Sequence, residues 1–307
     1  MRIAVCMITY GRPAGLRRLL DAIAGQTFEG AAPDLRIIVV DNDAAGGARE
    51  VCDAARAAMP WPLVYEIEPR RGIPIARNRC VALARPESDW IAFVDDDEEP
   101  APGWLAELIR VRDEYDADVA TGPVVPRFVG EPPGWAIRGR FFHRRRFPTG
   151  TLRDRAFTNN VLFRASIFDE VRPNFDERMV MTGGSDTHFS RRVHRAGYRI
   201  VWADQAEVHE TFPASRMAAR WVYQRAYRTG TTTAFITRDI RPLPVAAARL
   251  VSDAAYRLLV GTVLAAFGWV AGGHRTVLGV RHICYAAGML VGLFGGRYEE
   301  YRRTHGG

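Results

Sequence analysis

Three consecutive carboxylates, Asp95, Asp96 and Asp97, follow the apolar run Trp90-Ile91-Ala92-Phe93-Val94. So closely spaced, they repel one another, and in a crevice of low dielectric a cation must offset them. Hard oxygen donors of this kind suit Mg²⁺ or Mn²⁺, which keep coordination positions for water or a substrate's phosphates. Such an ion would neutralise charge growing on a departing phosphate-bearing group. An Asp-rich turn also suits a solvated helix start ahead of Trp104. Its place behind a buried strand favours the ligand-binding reading, because ligands of open α/β sheets sit beyond the carboxyl ends of the strands.

Two other strand ends carry polar groups: Thr9, Tyr10 and Arg12 after the first apolar run, and Asp41-Asn42-Asp43 after the second. The elements that must position them are legible. Ile3 to Thr9 and Leu35 to Val40 read as strands buried on both faces of a parallel sheet, with Leu16, Leu19, Leu20 and Ile23 at helical spacing between them. The alternation continues: a helix over Ala48 to Ala58, a strand over Leu63 to Ile67, a helix over Ile75 to Ala84 and a strand over Trp90 to Val94. A helix is expected from Trp104 to Tyr115 and a strand from Val119 to Thr121, followed by an ordered but mobile loop over Pro123 to Arg155. A second block holds a strand at Val161 to Phe163, a helix from Asp186 to Ala196 stopped by Gly197, a strand at Tyr198 to Trp202 and a helix from Ala214 to Thr229.

The formal charge of +7 suits polyanionic partners, but no nucleic-acid-binding module accompanies it, and nucleic acid is not expected as a partner. All 42 basic residues are arginine, a bias that weakens charge as a functional clue. Cys6, Cys52, Cys80 and Cys284 are scattered and read as reduced core residues of a cytosolic protein. The opening segment IAVCMITY is too short for a secretory signal, so export is not expected.

Four segments, in order, resemble glycosyltransferase family 2: ITYGR at Ile8 to Arg12, VVDN at Val39 to Asn42, RRGIPIARN at Arg70 to Asn78 and FVDDDEEP at Phe93 to Pro100. The resemblance implies the GT-A nucleotide-diphospho-sugar transferase fold, an α/β, mostly parallel, Rossmann-like sheet. It implies that Thr9, Tyr10, Arg12, Arg71 and Asn78 lie along the nucleotide sugar, that Asp41 contacts the base, that Asp95 lies near both nucleotide and metal, and that Asp97 ligates the ion; Asp96 is assigned to the nucleotide-sugar site. GGSDTHFSRR, from Gly183 to Arg192, resembles the family's Gly-Gly-Glu-Asp segment, which makes Asp186 the general base, with Ser185 in place of the glutamate. Asp186 would also serve as an N-cap. AEVHE, Ala206 to Glu210, resembles a segment in which some members place a metal-binding histidine, here His209.

The stretch from Gly197 to Tyr227, with Arg216 and Arg220, and the terminal GGRYEEYRR resemble a subgroup that builds bacterial cell-surface polysaccharides. The implied activity is metal-dependent, inverting transfer from a nucleoside-diphosphate sugar, a UDP-sugar favoured, to a saccharide or lipid-linked acceptor. The expected division is a transferase domain over residues 1–235, its nucleotide-sugar half ending near 122 and its acceptor half running over 123–235, and a helical module over 236–307. The loop RGRFFHRRRF, Arg138 to Phe147, suits an acceptor diphosphate or acidic headgroups, and equally a solvated basic loop.

Leu258 to Gly273 and Ile283 to Gly296 are apolar runs shorter than the ~20 residues a spanning helix requires, so an interfacial hairpin is expected, with a soluble bundle as the alternative. Flanking arginines suit a cytoplasmic anionic membrane surface, giving a peripheral protein on the inner face of the plasma membrane. Two other readings remain: a degenerate scaffold, favoured by Ser185, and a nucleotidyltransferase, disfavoured because its phosphate loop needs a lysine and the chain has none.

Overall fold

The computed structural model describes residues 1–298. Of the terminal GGRYEEYRR motif, Glu299 to Arg303 lie outside the described residues.

The chain runs β1 (Arg2–Thr9), α1 (Pro13–Ala24), β2 (Asp34–Asp41), α2 (Arg49–Arg56), β3 (Leu63–Ile67), α3 (Ile73–Ala84), β4 (Trp90–Phe93), β5 (Glu98–Pro100), α4 (Trp104–Glu114) and β6 (Val119–Thr121). It continues β7 (Val124–Phe128), α5 (Gly134–Gly139), β8 (Leu152–Arg153), β9 (Val161–Arg164), α6 (Ile167–Glu170), α7 (Ser185–Arg195), β10 (Ile200–Trp202) and β11 (Val208–Phe212). Three long helices close it: α8 (Ala219–Ile240), α9 (Leu243–Ala271) and α10 (Gly273–Leu293).

Eight strands form one sheet in the order β3-β2-β1-β4-β9-β6-β10-β8, parallel except at β9 and β8. The pleat sends alternate side chains to two cores. Ile3, Val5 and Met7 of β1 pack with Leu16, Leu19 and Leu20 of α1 and Trp104 and Leu108 of α4. Ala4 and Cys6 face the other way, onto Ala76 and Cys80 of α3 and Phe189 of α7. A second sheet, β5-β11-β7, stands beside the first. Because β9 sits between β4 and β6, the two expected halves share one sheet, and the boundary expected at residue 235 falls inside α8.

The stretch expected as a loop over 123–155 contains β7, α5 and β8. Pro126 masks β7 in the sequence, yet β7 is the edge of its sheet, where a residue lacking an N–H is tolerated. The helix expected from Ala214 begins instead as a 3₁₀ turn, Ala214–Met217, with α8 following.

The C-terminal apolar runs are longer than expected. The run expected to begin at Leu258 extends well before it: Arg257 pairs with Asp253 one turn away at 3.1 Å, and α9 runs through both for 29 residues. Leu243–Gly268 and Gly273–Leu293 are each long and apolar enough to cross a membrane, by length and composition. Leu259, Val263, Phe267 and Phe294 are exposed. Helix α10 packs between α8 and α9 through glycines: a Cβ on Gly288 would meet the Tyr227 carbonyl oxygen at 2.1 Å, and one on Gly230 the Tyr285 carbonyl oxygen at 2.2 Å. Backbones meet directly, as small residues permit between apolar helices.

Candidate active site

A cavity of about 530 Å³ opens where β1 and β4 end, and its wall includes Asp95, Asp96 and Asp97 on one side and Asp186 on α7. Helix α1 begins hard against the aspartate turn. A Cβ at Gly15 would lie 2.5 Å from the Asp96 carbonyl oxygen, so only glycine allows the approach.

Arginines neutralise the three carboxylates. Arg77 Nη2 donates to Asp95 Oδ1 at 3.1 Å, and Arg12 Nη1 donates to Asp96 Oδ1 at 3.0 Å and Asp97 Oδ2 at 3.1 Å. Arg216 Nη1 reaches the same Asp97 oxygen at 3.2 Å, and Thr9 Oγ1 donates to Asp96 Oδ2 at 2.8 Å. Guanidinium groups from distant parts of the chain thus bring positive charge to the cluster. Burial still dominates some of these groups. It pushes Asp96 up to about 7, against the pull of Arg12 and with the repulsion of Asp97. Burial also raises Asp95, opposed by Arg77 and reinforced by Asp97 and Asp186, which places Asp186 within electrostatic reach. Burial works against the Arg12 charge, but Asp96 and Asp97 outweigh it and raise that group.

Tyr10 and Arg71 also line the cavity, the Arg71 guanidinium lying 4.5 Å from the Tyr10 ring centroid. Asp186 lies in the first turn of α7, its Oδ1 accepting from the Thr187 N–H at 2.6 Å. The N-cap of that helix is Gly184, at φ 86°, so capping is not the role of Asp186. The adjacent Ser185 is buried, and its hydroxyl has no hydrogen-bond partner.

Three expected site residues do not face the cavity. Asp41 is fully buried, and its carboxylate accepts from the Asp43 and Ala48 N–H groups at 3.0 and 2.9 Å and from the Tyr65 hydroxyl at 2.8 Å, so it shapes its own loop. The neighbouring Asn42 lines the cavity instead and braces the loop before α3, bonding the Glu68 and Arg70 carbonyls and the Gly72 N–H. Asn78 exchanges two hydrogen bonds with the backbone of Phe175, at 2.9 and 3.0 Å. His209 alternates with the buried positions of β11 and faces Arg127 and Glu99, with burial and Arg127 lowering its pKa.

The residue that β11 does turn into the cavity is Glu210, which accepts from Arg144 at 3.0 Å and lies 3.7 Å from Arg216. Directly across the strand pair stands Glu98, buried and raised well above the usual carboxylate range by burial, Asp95 and Glu210. Strand alternation was the missed signal, since Val208, Glu210 and Phe212 share one phase and His209 the other. The loop RGRFFHRRRF divides its work. Phe142 joins an aromatic cluster with Phe128, Phe212 and Trp221, Arg144 turns inward to Glu210, and Arg146 pairs with Asp204 and Glu207. Arg220 is exposed, whereas Trp221, Arg225 and Arg228 of α8 continue the cavity wall.

A second acidic cluster lies outside the cavity wall. Asp176, His188 and Asp239 offer donor atoms within 4.8 Å of one another. Arg178 already bridges the two carboxylates, at 2.9 Å to Asp176 and 2.8 Å to Asp239, and the fully buried His188 bonds Asp239 at 2.8 Å.

Comparison with known proteins agrees with this architecture. Residues 4–172 match the family model described as glycosyl transferase family 2, and residues 90–293 match glycosyl transferase family group 2. The succinoglycan biosynthesis protein ExoM of Rhizobium meliloti is 34% identical over 231 residues, 75% of this chain and 72% of the relative. The glucosyl-dolichyl phosphate glucuronosyltransferase of Haloferax volcanii is 24% identical, with 75% of each chain covered. Among solved structures, the mannosyltransferase PcManGT of Pyrobaculum calidifontis, in complex with GDP-Man and Mn²⁺, superposes with a TM-score of 0.64 at 20% identity, covering 94% of this chain and 86% of that one. TarS 1-349 of S. aureus, in complex with UDP-GlcNAc, gives 0.52 at 14% identity, covering 97% and 93%. The fold is thus GT-A, with an apolar helical C-terminal module.

Proposed function

The chain belongs to glycosyl transferase family 2, and on that footing we propose that it transfers a sugar, with inversion and with the help of a divalent cation, from a nucleoside-diphosphate sugar to a saccharide hydroxyl. The observation that carries this reading is a single cavity in which Asp186 and the Asp95 to Asp97 cluster form parts of one wall. Asp95 and Asp97 offer hard carboxylate oxygens, a donor set that fits Mg²⁺ or Mn²⁺. Bound there, the cation would offset the charge growing on the leaving nucleoside diphosphate.

The chain's own residues do the rest. Tyr10 and Arg71 receive the nucleotide. Arg12 and Arg77, now paired with carboxylates, lie within the same wall to meet the phosphates. Asp186 takes the proton of the acceptor hydroxyl as its oxygen forms a bond to the anomeric carbon. The bond from that carbon to the diphosphate breaks, and the electron pair leaves with the nucleoside diphosphate. One base and one direct displacement invert the stereocentre.

The acceptor is a lipid-linked saccharide in cell-surface polysaccharide synthesis, used at the inner face of the plasma membrane. In support, the ExoM relative is named for succinoglycan biosynthesis, and the cavity wall on α8 leads into two helices with exposed apolar faces.

Differential scanning fluorimetry against a panel of nucleoside diphosphates, each with and without Mn²⁺, tests the donor site. A metal-dependent rise in Tm with one nucleotide is expected. A flat response to the whole panel, from protein that melts cooperatively, would sink the proposal.

A further inference from the structure

Two carboxylates from separate elements converge on one nitrogen. Arg216 Nη1 lies 3.2 Å from Asp97 Oδ2 and 3.7 Å from Glu210 Oε1. The backbone fixes this register, because the Thr211 N–H, next in the chain to Glu210, donates to the Asp97 carbonyl at 3.3 Å. Asp97 therefore cannot move independently of β11, and the two side chains are presented together to the cavity they both line.

The position is also low in solvent. The side chains of Glu210, Arg216 and Asp97 are 8%, 14% and 24% exposed, so charge there needs a close counter-charge. Arg12 meets Asp97 and Arg144 meets Glu210, but only Arg216, from the 3₁₀ turn Ala214–Met217, spans the two carboxylates among the described ion pairs.

We propose that Glu210 joins Asp97 in holding the divalent cation, and that Arg216 is the placeholder which the cation displaces. This rests on the metal-dependent reading above and assigns the β11 contribution to Glu210 in place of His209, whose side chain faces the opposite side of the strand. Displaced from its two carboxylates, the Arg216 guanidinium remains in a wall that receives the donor's phosphates. The exchange trades a monovalent, hydrogen-bonding cation for a divalent one of higher charge density, which carboxylate oxygens favour.

The test is Mn²⁺ binding to the full chain without nucleotide, read from the electron paramagnetic resonance signal of the unbound ion. Wild type, Asp97→Asn, Glu210→Gln, His209→Ala and Arg216→Ala are compared, each checked for a cooperative melt. Glu210→Gln keeps an oxygen for Arg144, so its fold is expected to persist. The expected result is that Glu210→Gln weakens Mn²⁺ about tenfold or more, as Asp97→Asn does, that Arg216→Ala tightens it several-fold, and that His209→Ala leaves it unchanged. Wild-type affinity in Glu210→Gln, or a loss in His209→Ala, would overturn the assignment of Glu210 while leaving the metal reading intact. Weaker binding in Arg216→Ala would overturn the placeholder role. Failure of the wild type to take up Mn²⁺ would remove the metal-dependent reading and this inference with it.

Discussion

Two clusters of carboxylates in this molecule have nearly the same composition and opposite characters. In the cluster at Asp95 to Asp97, the acids lie on one turn and their arginines arrive from residues 12, 77 and 216, all facing a shared cavity. In the cluster at Asp176, His188 and Asp239, the chief cation is Arg178, two residues from Asp176, whose side chain also accepts from the Arg178 N–H at 2.9 Å. That second group clamps α7 to α8, with Arg178 and His188 both reaching Asp239, across 61 and 51 residues. The first also pairs across long sequence distances, but on an open wall. What separates a site from a clamp is the surface the charges face, since the acids and arginines are common to both.

The sharpest way to test this contrast is at the reacting centre. Asp186→Asn is expected to lower kcat by roughly 10²–10⁴-fold with donor affinity nearly unchanged, measured by steady-state transfer and nucleotide titration. Undiminished turnover would end its role as base. In the clamp, Asp176→Ala removes one of the two carboxylates that Arg178 bridges, leaving Asp239 as the partner of both Arg178 and His188, and should cost about 1–2 kcal/mol in denaturant unfolding, while the folded fraction binds nucleotide as before. Lost nucleotide affinity with unchanged stability would erase the distinction between the clusters. Asp97→Asn should do the converse, weakening Mn²⁺-dependent nucleotide binding about tenfold or more with little change in stability.

The smallest effect concerns pH. Asp96 is raised from 3.8 to about 7 by burial, so the folded chain holds its proton more tightly than the unfolded one. Its contribution to stability is fully present below the unfolded value and is lost as pH rises toward 7. In metal-free protein, the Tm of wild type relative to Asp96→Asn should therefore fall between pH 5 and pH 8. A gap that is constant or that changes in the opposite direction would show that Asp96 is ionised throughout.

Much of the first cluster was legible in the sequence. The continuous apolar run from Ile3 to Ile8 placed β1 in a sheet buried on both faces, as its two packing clusters bear out, and runs of this kind placed Thr9, Tyr10 and the aspartate triplet at strand ends. The arginine partners were not legible, because Arg12 and Asp96 stand 84 residues apart and no local pattern records their meeting. Asp41 and Asn78 have the residue types of a binding site, yet their polar atoms are used by neighbouring backbone, which only the folded chain reveals. His209 and Glu210 differ by one step of strand phase, and the motif, which carries no phase, names His209 whereas Glu210 lines the cavity. The length of α9 was hidden by charged residues that pair one turn apart instead of breaking the helix.

Helix α8 carries Trp221, Arg225 and Arg228 in the cavity wall, while Gly230 meshes with the backbone of α10 in the next turn. No side chain lies between Gly230 and Gly288 to act as a slipping layer, so the hairpin serves as the abutment against which the wall is braced. A slide of α10 by one residue would move α8 by about 1.5 Å relative to Asp186. In mechanical terms the enzyme has a rigid crank between its apolar end and its chemistry. The packing of the apolar end thus sets the position of wall residues that lie outside the hairpin itself.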